Sequence, residues 1–304
     1  MIWIAIVMAV ATTVGVYSSK YRPARADWAA RRVLDVVLWV MIPIVIFFNL
    51  TRFEFTATIG AAFGIAYLGN FLVIGLAYAI GTYALKLSRK TVGTIMCCAL
   101  MGNTAYLGYP FVSTVLGFDA LADAVPYDTI VGVPSLLLIG FSIGAAFGTI
   151  AERPRDRIRS FFTRNPVLYA AIAALLAPDN FAPDWSIHFT RILVISILPL
   201  GFFAVGVTLA HEAEVDSLPF PPPFTAPVAT AVFLKLAVVP VILLLAGWLV
   251  VDIPPAFVLQ AAMPVGVNNL LIANNYGLDR QLAASAIVWS TPLVLLLGLA
   301  IELF

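Results

Sequence analysis

Charge is what this sequence has least of. Only 11% of its 304 residues are Asp, Glu, Lys or Arg, under half of the roughly 25% carried by a soluble domain. With 62% hydrophobic residues and a mean hydropathy of +1.01, that shortage excludes a soluble globular domain and leaves an integral membrane protein. A net charge of +1 provides no basic field to draw a polyanion, so nucleic acid is excluded as a partner. Histidine is nearly missing as well. His188 and His211 lie far apart, no HExxH metal pair exists, and the sequence calls for no metal and no cofactor. Cys97 and Cys98 are neighbours in an apolar run. On a helix they point about 100° apart, which makes them small packing residues.

Acidic residues are absent from the centres of the apolar stretches. Asp35 and Glu302 sit at stretch ends, and the others, Asp119, Asp123 and Asp128 among them, read as loop residues. Carboxylates that could chelate sodium inside the membrane are therefore not expected; a proton would have to ride on Lys235 or on a loop acid. Asp128 and Asp279 fall on opposite sides of the topology derived below. They cannot share a proton as a protease dyad must, and an enzyme is not expected.

What the sequence does have is 20 prolines and 20 glycines, spread through the apolar stretches instead of gathered in linkers. That distribution predicts one membrane domain with broken or kinked helices. Ten spans are expected, at about 2–18, 33–50, 57–85, 91–116, 126–150, 166–178, 188–210, 224–250, 256–276 and 281–303, the sixth being short for a bilayer. Lys and Arg collect on the cytoplasmic side of short loops. With ten alternating spans, fourteen of the 17 basic residues fall on one side, notably Lys20 to Arg32, Lys86 to Lys90, and Arg153 to Arg164 in ERPRDRIRSFFTRNP. Both termini are then expected outside the cytoplasm, in a multi-pass protein of the inner or plasma membrane surrounded by lipid.

The chain also repeats itself. MIPIVIFF (Pro43) matches ILPLGFF (Pro199), ALMGNTAYLGYP matches AAMPVGVNNLLI, GFDALADA matches GLDRQLAA, and IVGVPSLLLIG matches IVWSTPLVLLLG, with offsets between 156 and 162. The implied halves are 1–150 and 166–304, joined by an Arg-rich cytoplasmic linker at 151–165. Five spans per half is an odd number, so the second half is inverted relative to the first. Inverted repeats are a common device of secondary transporters, whose substrate site lies near the midplane where the copies meet.

The stretch AAMPVGVNNLLIANNYGLD, residues 261–279, places Pro264, Gly266 and four asparagines within an apolar span. A proline at membrane depth leaves an unmatched carbonyl, tolerated where the break is buried or wet. Half-helices meeting there would aim a positive N-terminal end at one place, which an anion can use. The fourth span offers the equivalent break at Gly102, Asn103 and Thr104. The expected substrate site comprises Asn103, whose amide can donate to a carboxylate, Gly102, Thr104, Pro264, Gly266, Asn268 and Asn269. Asn274 and Asn275 read as helix-end caps. Lys235, about 15 Å deep at 1.5 Å per residue, must face protein or water; it either balances an anion or braces the broken helices through a carbonyl.

GNTAYLGYP followed by GFD, and MPVGVNNLLIANNYGLD followed by ASAIVWSTP, resemble the auxin efflux carrier family, which includes plant auxin exporters and bacterial permeases for malate or malonate. The resemblance covers essentially the whole chain. It implies an all-α fold of ten transmembrane helices in two inverted five-helix repeats. It further implies a scaffold domain and a transport domain in which broken helices 4 and 9 cross, with the substrate carboxylate held beside an asparagine corresponding to Asn103. A homodimer through the scaffold is implied by the same resemblance. Plant members carry proline where Gly102 stands, which puts auxin itself in doubt as substrate. The expected function is therefore secondary transport of a small organic anion by alternating access with an elevator-type transport domain. An anion channel or membrane sensor on the same fold is the rival reading.

Overall fold

The computed structural model describes residues 1–149, 162–163, 165–178, 181–215 and 221–303, the side chains of 212–215 and 302–303 excepted. The Arg-rich linker expected over 151–165 lies outside the described residues apart from 162, 163 and 165. Every regular element described is helical, and the single extended pairing is an isolated antiparallel bridge between Gly102 and Val265.

Among the described residues, seven helices are long and apolar enough to cross a membrane: α1 (Ile2–Tyr21), α2 (Pro23–Thr51), α3 (Ala57–Ala84), α6 (Phe118–Phe147), α8 (Asp184–His211, continuing to Val215), α9 (Ala226–Leu249) and α12 (Arg280–Leu303). Between them lie shorter pieces. The helices α4 (Arg89–Leu100) and α5 (Tyr109–Val115) are joined by a wide turn at Thr104–Gly108, α7 spans Pro166–Leu176, and α10 (Pro255–Ala261) is separated from α11 (Asn268–Tyr276).

Local chemistry sets these boundaries. Thr56 accepts a hydrogen bond from the Ile59 amide at 3.2 Å, and Asn165 accepts one from Leu168 at 3.1 Å, so each caps a helix that needs acceptors for its first amides. Gly117 and Gly277, 160 residues apart, are the glycines with positive φ among the described residues, at 89° and 67°. Each opens the turn before α6 or α12, and a side chain would resist that backbone. The fifth span was expected to begin at 126; the helix instead begins at 118 and carries Pro126 within it.

The two largest buried cores each draw on both halves of the chain. One core joins α3, α4 and α6 to α9–α12 through residues such as Ala66, Ile95, Val131, Leu243, Phe257 and Ala283. Another joins α2 to α7 and α8 through Val37, Val45, Ala171 and Val194. The α1 helix lies on α8, with Gly15 against the Phe203 carbonyl and Gly206 against the Thr12 carbonyl; only glycine lets backbones approach so closely. Large apolar side chains face outward, among them Trp248, Leu249 and Leu176, 79–82% exposed. In water such a surface would aggregate, whereas acyl chains cover it at no cost.

Candidate functional site

Both interrupted helices break at the same place. After α4 the chain is extended at Met101, and between α10 and α11 it runs through Met263–Val267 without helical bonding. The two breaks bond to each other: the Asn103 amide donates to the Pro264 carbonyl at 2.8 Å, and the Gly266 amide donates to the Met101 carbonyl at 3.0 Å. Groups that lost their helical partners thus satisfy one another, as buried backbone must. Ser290 of α12 accepts from the Val265 amide at 3.0 Å. Gly266 is required by contact, since a Cβ there would lie 2.7 Å from the Gly102 carbonyl oxygen.

A cavity of about 230 Å³ opens beside this pairing. Of the residues expected at the site, Gly102, Asn103, Thr104, Gly266, Asn268 and Lys235 line it. Asn103 is 5% exposed, its side chain makes no hydrogen bond among the described residues, and its Oδ1 is fully enclosed. The Nδ2 end is the one left accessible. Pro264 and Asn269 are buried but do not line the cavity. Asn269 donates through Nδ2 to the carbonyls of Gly266 at 2.8 Å and Met101 at 3.3 Å, which makes it a clamp across the two breaks. Lys235, 4% exposed, does two things at once: it lines the cavity and donates to the Ala261 carbonyl at 2.9 Å, at the last residue of α10. Its ammonium neutralises the negative end of that half-helix. Asn274 and Asn275 are exposed near the end of α11, and Asn274 accepts from Arg280 at 3.3 Å.

Residues 158–301 match the family model described as membrane transport protein. An uncharacterized transporter of the archaeon Methanocaldococcus jannaschii is 24% identical over 204 residues, covering 65% of this chain and 65% of the relative. The chain thus matches just under two thirds of that relative's length. Over its second half the chain is thus similar to membrane transport proteins. Its apolar helices make it a multi-pass membrane protein.

Sequence reasoning misplaced one residue of this cavity. Asp128, read as an outer loop acid, is 4% exposed and lines the cavity from within α6. Its Oδ1 accepts a hydrogen bond from Thr104, and its Oδ2 accepts one from the Tyr109 hydroxyl at 2.7 Å. The expectation that membrane interiors here lack carboxylates is therefore corrected. The error came from starting α6 too late; the run LADAVPYDTI holds two aspartates and looked like a loop. Gln260 was also missed. It is fully buried, lines the cavity, and leaves Oε1 without a partner among the described residues. Asp279, by contrast, caps α12 through Leu282 at 3.1 Å and accepts from Thr91 at 3.2 Å. Its hydrogen bonds involve none of the residues that hold Asp128.

Proposed function

We propose that the protein is a secondary transporter that carries a small organic anion, such as a carboxylate or an auxin-like acid, across the inner or plasma membrane by alternating access. The observation that carries this reading is the unpartnered Asn103 amide, buried in a cavity at the point where two helix breaks bond to each other. Oδ1 is enclosed and Nδ2 is the end left open, so an anion in the cavity can accept a hydrogen bond for which no described protein group competes. The half-helix beginning at Thr104 presents its first amides to the same place, and Lys235 adds positive charge. Together these features favour an anion. Asn268 offers a further amide, while Asn269, Gly102, Gly266 and Pro264 shape and hold the backbone.

The architecture we propose is ten transmembrane helices in two inverted repeats, residues 1–150 and 166–304, whose broken helices cross at Gly102 and Val265. Three features support it: interruptions at corresponding places in the two halves, left-handed glycines 160 residues apart, and helices of both halves sharing each core. In this reading α1, α2, α7 and α8 form the scaffold, a homodimer forms through it, and the remaining helices move as an elevator. Fourteen basic residues on one side put both termini outside the cytoplasm.

The test is counterflow. Purified protein in liposomes preloaded with unlabelled malate, or in parallel with an indole carboxylic acid, should take up the labelled acid with saturation. A flux that rises linearly with concentration and shows no counterflow would replace the carrier with a pore.

A further inference from the structure

Asp128 is a buried carboxylate that anion binding does not use. Its position is built, not incidental. Thr104 and Tyr109, on either side of the wide turn after the first break, each send a hydroxyl to one of its oxygens. Gly132, one turn on, leaves room for it, since a Cβ there would stand 2.5 Å from Oδ1. The titratable groups facing it are phenols: Tyr106 and Tyr109 beyond the break and Tyr127 on its own helix; Tyr67 on α3 lies next to Tyr127 and donates to the Ile130 carbonyl at 2.5 Å. Phenols ordinarily titrate near pH 10 and carry no charge in the physiological range. The ion pairs among the described residues, Arg52 with Asp184 and Arg191 with Asp119, do not involve it. Lys235 lines the same cavity but is held by the Ala261 carbonyl.

A carboxylate buried without a counter-cation is costly to keep ionised, by several kcal/mol, and the simplest neutralising partner is a proton. Two hydroxyl donors offset part of that cost in the ionised form, which leaves both forms accessible. Thr104, the residue next to Asn103, hydrogen-bonds this carboxylate directly. An anion bound at Asn103 brings a second negative charge into the cavity, and repulsion between the two is relieved when Asp128 takes up a proton. We infer that Asp128 is the coupling site of the carrier, binding one proton from the side on which the anion enters and releasing it where the anion leaves. The step is a proton transfer alone: an O–H bond forms on the carboxylate and breaks on the far side, with no redox partner. The inference rests on the transport reading, and it assigns the direction of coupling: anion and proton travel together.

The experiment uses the full chain in liposomes with the membrane potential clamped, malate as the probe anion, and a dye reporting internal pH. Malate uptake should carry protons with it, and a gradient of one pH unit should concentrate malate about tenfold at one proton per anion. In Asp128→Asn the pH gradient should no longer drive accumulation. Tyr109→Phe, which keeps the carboxylate and removes one hydroxyl, should shift the pH of half-maximal uptake, so the inference stays testable if the first variant does not fold. Saturable counterflow without proton movement in the wild type would overturn the coupling and leave the carrier standing. Proton-driven accumulation that survives in Asp128→Asn would assign the proton elsewhere. Absence of counterflow in folded wild-type protein would remove the transport reading itself.

Discussion

Replacing Gly266 with alanine tests whether pairing of the two breaks holds the site. A Cβ at this position would meet the Gly102 carbonyl oxygen at 2.7 Å and its carbon at 3.0 Å. Both atoms are backbone, so neither can swing away, and the strands must separate. Separation strains the Gly266–Met101 and Asn103–Pro264 hydrogen bonds, 3.0 and 2.8 Å in length. At a net contribution of about 0.5–1.5 kcal/mol per bond, and more where a buried group is left unpaired, Gly266→Ala should cost roughly 2–4 kcal/mol. The Asn103 amide would also move from its place in the cavity, and transport should fall at least about tenfold, as expected from displacing a binding group. Gly60, Gly64 and Gly75 on α3 are the controls. A Cβ added at any of them meets nothing within 4 Å, and alanine there should be neutral or stabilising by about 0.4–1 kcal/mol. Thermal unfolding in detergent, followed by loss of the monodisperse peak, reads stability; counterflow reads function. Wild-type stability and transport in Gly266→Ala would refute the reasoning, because the contact that demands glycine would then be absent.

Other substitutions separate binding from bracing. Asn103→Ala should abolish transport while unfolding within about 0.5 kcal/mol of the wild type, since no protein hydrogen bond is lost; a matched loss of stability would make Asn103 a structural residue. Asn269→Ala removes both carbonyl contacts of the clamp and should lower stability by about 1–3 kcal/mol in the same unfolding assay. Lys235→Met strips the charge from the end of α10 and should weaken malate binding while destabilising by about 1–2 kcal/mol, measured by titration and by unfolding. Gly277→Ala places a side chain in the left-handed helical region and should cost about 1–2 kcal/mol, and Gly117→Ala, at φ 89° and ψ 162° where glycine alone is at ease, should cost about 1–3 kcal/mol, both read by thermal unfolding.

Much of this site could be read from residue types because a membrane penalises whatever does not fit it. Proline and glycine within apolar runs marked both breaks, and a lysine in a span had to be buried and partnered, as Lys235 is. Where the sixth span was expected, over 166–178, the structure has an apolar helix of 11 residues, Pro166–Leu176, shorter than the seven that can cross a membrane. Direction was harder to read than position. Asn103 and Asn269 have the same side chain at paired breaks, yet one lines the cavity without a partner and the other clamps backbone. Nothing in sequence order distinguishes them, because the difference lies in which face of a half-helix meets the other half. Asp128 was lost for a related reason. Its partners stand 24 and 19 residues earlier, and only the fold brings their hydroxyls to a carboxylate that hydropathy assigns to a loop.

Direct binding tests the central claim, that an anion is held at the Asn103 amide. Equilibrium binding of labelled malate and of a labelled indole carboxylic acid should be measured on purified wild-type protein and on Asn103→Asp. That exchange keeps size and shape while replacing the amide donor with a negative charge. Saturable binding of at least one acid to the wild type, lost in Asn103→Asp under conditions where both proteins are folded, is the predicted result. Equal affinity of the two proteins for the acid would contradict the account and move the anion away from the paired breaks.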